Sequence, residues 1–268
     1  MSSTERNPAD VDQNGRLSNA DAKVLEREAE FWQSGETPFL KVRRHIDRAI
    51  GAYARSNDMH GFYDVQGRQV LDYGCGSGRA SMRYLREGAA FVTGFDIAPA
   101  MIEEAKRRAA DAGASERTTF IVADAHATPF DPDSFDLVVG IAILHHLDIP
   151  VALREIRRVL RPGGRAVFME PLWHNPILRL GRRLTPMARV EFEHPLRETD
   201  WAECAAVFPE FEHHERELIT VPLMPLNLLL PRRAQERLAP SVNHLDDHVR
   251  ERYPSLRKYA RITILVLK

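Results

Sequence analysis

Apolar positions recur at two spacings along the chain, and the spacing switches repeatedly through its middle. Short β-branched or aromatic runs at 69–73, 91–95, 118–123, 135–141 and 165–170 have the length of buried strands, and helical runs at 79–87, 98–112 and 150–159 separate them. Strands that alternate with helices of this length require right-handed crossovers and a parallel sheet covered on both faces. The expected fold is therefore α/β, with a doubly wound, mostly parallel sheet.

The flanks have a different rhythm. "DAKVLEREAEFWQ" places Val24, Leu25, Phe31 and Trp32 near one stripe, and "PFLKVRRHIDRAIGAYA" repeats the pattern after a Gly/Pro break, so 21–60 reads as an N-terminal helical cap. Residues 1–20 are polar and read as a mobile tail, without the apolar core of a signal peptide. Past Pro171, "WHNPILRLGRRL" predicts one helix and "TDWAECAAVF" another, with Thr199 as its cap and Glu203 close by. "EFEHHERELITVPL" alternates like a solvent-facing strand, and "YARITILVLK" is a β-branched run. Pairing these two gives the sheet an antiparallel C-terminal edge strand and leaves about 222–257 as a helical insertion, the natural place for a lid. The 61–268 stretch is then one domain of seven strands.

Composition narrows the function. The 268 residues are 44% hydrophobic, enough for a sizeable core. Lys+Arg 37 against Asp+Glu 38 gives a formal charge of -1, which removes the broad basic footprint of a nucleic-acid binder. The arginine pairs at 43–44, 182–183 and 232–233 read as solvated helix faces. Cys75 and Cys204 make neither a disulfide framework nor a metal cluster, His213-His214 lacks companion ligands, and no metal is expected. A cytoplasmic location is the default for this cysteine usage. The most apolar stretch, 221–231, is too short and proline-broken for a membrane span, and is a candidate surface for a homo-oligomer.

The chemistry concentrates in "VLDYGCGSGRA". Its loop Gly74-Cys75-Gly76-Ser77-Gly78 follows the first strand, where an open parallel sheet binds ligands and where bare glycines let a ligand approach backbone N–H groups. Asp72 precedes the glycines and would repel a pyrophosphate but attract an ammonium group. Asp96 ends the second strand, at the distance where an acid takes ribose hydroxyls, and Asp124 ends the third. No P-loop lysine follows the glycines. The pattern suits a nucleoside with a cationic amino-acid tail rather than a phosphorylated one.

These residues carry a family resemblance. "VLDYGCGSG", "GFDIAPAMIEEAKRRA", "ADAHATPFDPDSFDLVVGIAILHHL" and "EIRRVLRPGGRAVFMEP", in that order, are similar to the class I S-adenosylmethionine-dependent methyltransferases, in particular their small-molecule, quinone and natural-product branch. The resemblance implies a Rossmann-like sheet and S-adenosylmethionine as cofactor. It also implies that Asp72 and the loop of Gly74, Cys75, Gly76 and Gly78 hold the methionine moiety, Asp96 the ribose diol, Asp124 with Ala125 the adenine, and that Ile97 packs on the adenine ring.

Methyl transfer needs a base only when the acceptor must lose a proton, and histidine is the usual choice. His145 and His146 follow the fourth strand and are the expected catalytic pair. Glu170 and His174 at the next strand end, with Phe31, Trp32 and Tyr53 from the cap, are expected to line the acceptor pocket. The expected reaction is methylation of a small, partly apolar molecule of specialised or isoprenoid/quinone-type metabolism, at oxygen first, carbon or nitrogen otherwise. A non-catalytic cofactor-binding scaffold and a nicotinamide-dependent dehydrogenase are the alternatives; Asp72, Asp124 and the glycine spacing speak against the second.

Overall fold

The computed structural model describes residues 56–184 and 194–268. The expected tail and Phe31, Trp32 and Tyr53 of the expected cap lie outside the described residues. Seven strands, β1 (Gln69–Tyr73), β2 (Phe91–Asp96), β3 (Thr118–Val122), β4 (Phe135–Ile141), β5 (Leu160–Pro171), β6 (Phe211–Arg216) and β7 (Ile262–Leu267), form one sheet in the order β3-β2-β1-β4-β5-β7-β6. The pairings from β3 through β5 are parallel, and β7 is antiparallel to both of its neighbours. Inserted between β5 and β6, β7 is buried along its whole length, whereas β6, the edge, exposes Glu212 and His213.

The crossover helices start where the sequence lets them. Helix α1 (Arg79–Arg86) begins at Gly78, whose φ of 72° ends the glycine loop. α2 (Pro99–Asp111) begins on a proline, whose fixed φ suits the first helical turn. α3 (Ile149–Val159) is capped by Asp148, whose carboxylate accepts the Val151 N–H at 3.1 Å. Two further helices follow β5: α4 (Pro176–Leu184) and α5 (Asp200–Val207). The expected Thr199 cap does not form, because Thr199 is itself helical and Asp200 takes the Arg197 N–H at 2.7 Å instead.

Between β6 and β7 the chain forms α6 (Thr220–Leu229), α7 (Arg232–Arg252) and a 3-10 turn (Pro254–Tyr259), filling the expected insertion. Asp246 of α7 is buried and accepts the N–H groups of Glu217 (3.2 Å) and Ile219 (2.7 Å) and the Arg250 guanidinium (2.9 Å), which ties the insertion to the end of β6. The apolar stretch of α6 leaves Leu226, Leu228 and Leu229 exposed. No helix among the described residues is long and apolar enough to cross a membrane.

Apolar residues cover both faces of the sheet. One face holds Tyr73, Phe95, Phe168, Leu144 and Leu153, the other Met59, Val92, Ile102, Phe120 and Ile264. The Tyr73 ring meets Phe95 and Phe168 edge-on at 4.8 and 5.8 Å, contacts worth about 0.5–1.5 kcal/mol each beyond their area. Behind β4, Gly140 faces Phe168 so closely that an added Cβ would lie 2.3 Å from its ring. Gly140→Ala should therefore cost roughly 1–3 kcal/mol by overpacking. A urea midpoint lowered at unchanged slope is the expected result, and an unchanged midpoint would show that Phe168 yields freely.

Candidate cofactor and acceptor site

The loop after β1 is left-handed at Gly74, Gly76 and Gly78 (φ 72°, 48° and 72°). Two of the three are close packed. A Cβ at Gly74 would sit 2.8 Å from Cγ1 of Ile143, and one at Gly78 would sit 3.0 Å from Ala105 Cβ on α2. At Gly76 nothing lies within 4 Å, so its bare backbone opens onto free space. Cys75 turns inward, with its N–H donated to the Phe95 carbonyl at 2.8 Å; burial pushes its thiol well up, which leaves it unsuited to act as a nucleophile.

The strand-end acids hold the loops. Asp96 accepts the Gly76 N–H and the Ala98 N–H, both at 2.9 Å, so one carboxylate joins the glycine loop to the start of α2. Asp124 accepts the His126 N–H at 2.9 Å and its Nδ1–H at 2.8 Å, while His126 Nε2 accepts the Asp148 N–H at 3.0 Å. Those hydrogen bonds hold the Asp124 carboxyl below its usual value despite burial that pushes the other way. Tyr73 reaches across to donate its hydroxyl to the Ala125 carbonyl. Asp72 lies behind the loop, accepts the Ser81 hydroxyl of α1 and is almost fully buried; desolvation pushes its carboxyl up to about 6.

The turn after β4 forms the opposite wall. Ala142 takes φ 56°, rare for a residue with a Cβ, and donates its N–H to the Met169 carbonyl at 2.8 Å. A 3-10 turn (Leu144–His146) follows. Under it sits Glu170, fully buried at the end of β5. Its Oε1 accepts the N–H groups of Ile143 and Leu144 at 2.9 Å each, and its Oε2 pairs with His145 Nδ1 at 2.6 Å and accepts the His145 N–H at 3.4 Å. The His145 carbonyl in turn accepts the His194 N–H at 3.0 Å, and His194 Nδ1 lies 2.6 Å from the same oxygen.

These walls enclose a cleft of about 220 Å³ at the carboxyl ends of β1 to β4. Of the residues expected to bind the cofactor, Gly74, Gly76, Asp96, Ile97, Asp124 and Ala125 line it, and so does His146. Asp72, Cys75, Gly78, His145, Glu170 and His174 do not. Met101, Ile141, Ala142, Ile143 and Leu147 line it as well, and the sequence reading did not include them. Ala142 and Ile143 follow β4 as Gly74 follows β1, so their place at a strand end was the available signal. The cleft suits a nucleoside: carboxylates at two strand ends, apolar side chains between them, a backbone patch at Gly76 and no lysine or arginine among its lining residues.

The family described as "Methyltransferase domain" matches residues 70–164, which include every residue lining this cleft. The chain carries a class I S-adenosylmethionine-dependent methyltransferase domain. S-adenosylmethionine is its cofactor, and the residues present fit it. The domain is 40% identical over 100 residues to the 27-O-demethylrifamycin SV methyltransferase of Amycolatopsis mediterranei, covering 37% of each chain. It is 29% identical to a demethylmenaquinone methyltransferase of Lactococcus lactis over 69% of this chain and 77% of that one. A solved S-adenosylmethionine-dependent methyltransferase from Mesorhizobium loti shares the fold at a TM-score of 0.54 and 21% identity, over 78% of this chain and 95% of that one. The match to the rifamycin enzyme spans less than half of that relative's length, so the likeness is concentrated in the methyltransferase domain.

Burial of Asp72 has a pH signature. Between about pH 4 and 6 the unfolded chain gives up this proton while the folded one keeps it, so the folded state loses stability as pH rises through that window, by roughly 3 kcal/mol. Asp72→Asn removes the titration and keeps an acceptor for Ser81. Relative to the natural chain it should gain stability steadily from pH 4 to pH 6 in urea unfolding, then hold the gain; a difference independent of pH would contradict the assignment.

Proposed function

We propose that this protein transfers a methyl group from S-adenosylmethionine to a small, partly apolar organic acceptor, with oxygen as the acceptor atom. When bound, the cofactor supplies an electrophilic methyl group on a sulfonium. The chain's own work is to hold both partners in line and to accept a proton. In this reading Asp96 takes the ribose hydroxyls, Asp124 and the Ala125 backbone take the adenine, Ile97 and Met101 cover its ring, and the Gly74–Gly76 backbone receives the amino-acid tail.

The observation that carries the choice of oxygen is the Glu170–His145 pair. A carboxylate at Nδ1 holds the Nδ1 proton of the imidazole inward, and the ring packs against His146, which lines the cleft. Protonated, that imidazole would rest against Glu170, in the manner of a buried carboxylate–histidine couple. Neighbouring His146, whose ring centroid lies 4.2 Å from that of His145, serves as cleft wall and positions the acceptor. The names of the two relatives, a 27-O-demethylrifamycin SV methyltransferase and a demethylmenaquinone methyltransferase, are in keeping with a small organic acceptor.

Two outcomes are expected. Asp96→Ala should weaken S-adenosylhomocysteine binding by roughly 1–3 kcal/mol in calorimetry, the range for losing charge-assisted hydrogen bonds; unchanged affinity would remove the ribose role. His145→Ala should lower kcat about 10²-fold or more, with S-adenosylhomocysteine affinity retained. Loss confined to acceptor KM would make His145 a positioning residue and shift the acceptor atom away from oxygen.

A further inference from the structure

Just past β5, three guanidinium groups gather on one indole. Arg179, Arg182 and Arg197 stand 5.7, 5.9 and 4.9 Å from the ring centroid of Trp173. Each contact is attractive to the ring face, but three cations on one side chain repel one another. Among the described residues no carboxylate lies within ion-pair reach of Arg179 or Arg197, and the nearby Asp200 carboxylate is engaged by the Arg197 backbone N–H rather than by its guanidinium.

The cluster is held from both sides. Buried Asn175 accepts the N–H groups of Ile177 and Leu178 at 3.1 Å each and donates its Nδ2–H to the Tyr259 carbonyl at 2.6 Å, which fixes the first turn of α4 and the arginines it carries. Arg197 belongs to a short strap: Leu196 N–H bonds the Pro171 carbonyl at 2.9 Å and Trp173 N–H bonds the Leu196 carbonyl at 3.0 Å. Three residues earlier, His194 is bonded to the His145 carbonyl. Three residue steps span at most about 10 Å, so the backbone of Arg197 lies within about 10 Å of that of His194, which is bonded to the His145 carbonyl.

We propose that Arg179 and Arg197 over Trp173 form the recognition site for an oxyanion, phosphate or carboxylate, carried by the acceptor. This rests on the methyl-transfer reading and adds to it the chemical class of the acceptor. Guanidinium forks match such groups in geometry and charge, and the Trp173 ring offers an apolar wall to the carbon skeleton beside the anion. An acceptor anchored here would extend along the 194–197 strap toward His145.

The test is calorimetry of the full chain at low ionic strength, with and without saturating S-adenosylhomocysteine, using inorganic pyrophosphate in one arm and malonate in the other. At least one is expected to bind, and the Arg179→Gln/Arg197→Gln double variant should bind it at least tenfold more weakly with S-adenosylhomocysteine affinity unchanged. Binding of pyrophosphate alone assigns a phosphorylated acceptor; binding of malonate alone, or tighter than pyrophosphate, assigns a carboxylated one. If neither anion binds, or if the double variant binds as the natural chain does, the site is overturned. Failure of S-adenosylhomocysteine alone to bind counts against the methyl-donor reading and leaves the anion titration to be judged by itself.

Discussion

At the carboxyl end of a parallel sheet the ladder stops, and the backbone N–H groups of the loops beyond it need other acceptors. In this protein carboxylates meet that need. Asp96 takes the N–H groups of Gly76 and Ala98, Asp124 takes that of His126, and Glu170 takes those of Ile143 and Leu144 and, more distantly, of His145. Each bond stabilises the fold by about 1.5–3 kcal/mol when the acceptor is charged, and a buried carboxylate left without donors would cost several. The loops are thus fixed by the same acids that give the cleft its character. Removing one would disturb both.

This arrangement braces the cleft where a nucleoside would touch it. The glycine loop is clamped between Asp96 and Ile143, and the β4 turn is clamped by Glu170 from below and His194 from above. Ala142, held at φ 56°, sits between those clamps. Strain of this kind, of order 1–3 kcal/mol, persists only where neighbours over-determine the backbone, and here it shapes the wall that faces the glycines.

Much of the fold was legible because local and global signals agree. Strand length, the proline starts of α2 and α3 and the glycine at the start of α1 point to the same boundaries, except at β5, which begins at Leu160 rather than at 165. The loop and the acids Asp96 and Asp124 were legible for the same reason: their positions at strand ends follow from the alternation alone. The aim of a strand-end side chain was not. Glu170 read as a rim residue open to the acceptor, yet the β4–β5 register, with Ile141 opposite Met169, turns it under the neighbouring turn. Asp72 read as standing at the loop's mouth, and Ser81 draws it behind. Arg182 read as part of a solvated helix face, because nothing in the local sequence says that Arg197 returns to the same indole.

The central claim is that the cleft is built for a sulfur-bearing nucleoside. The most direct measurement is a calorimetric and thermal-shift titration of the full chain with S-adenosylmethionine, S-adenosylhomocysteine and NAD side by side. A ligand at a hundred times its Kd stabilises its host by about 2.7 kcal/mol, an easily read shift in Tm. Stoichiometric binding and stabilisation by the two sulfur nucleosides, with none from NAD, is the result this account predicts. Stabilisation by NAD, or by none of the three, would contradict it.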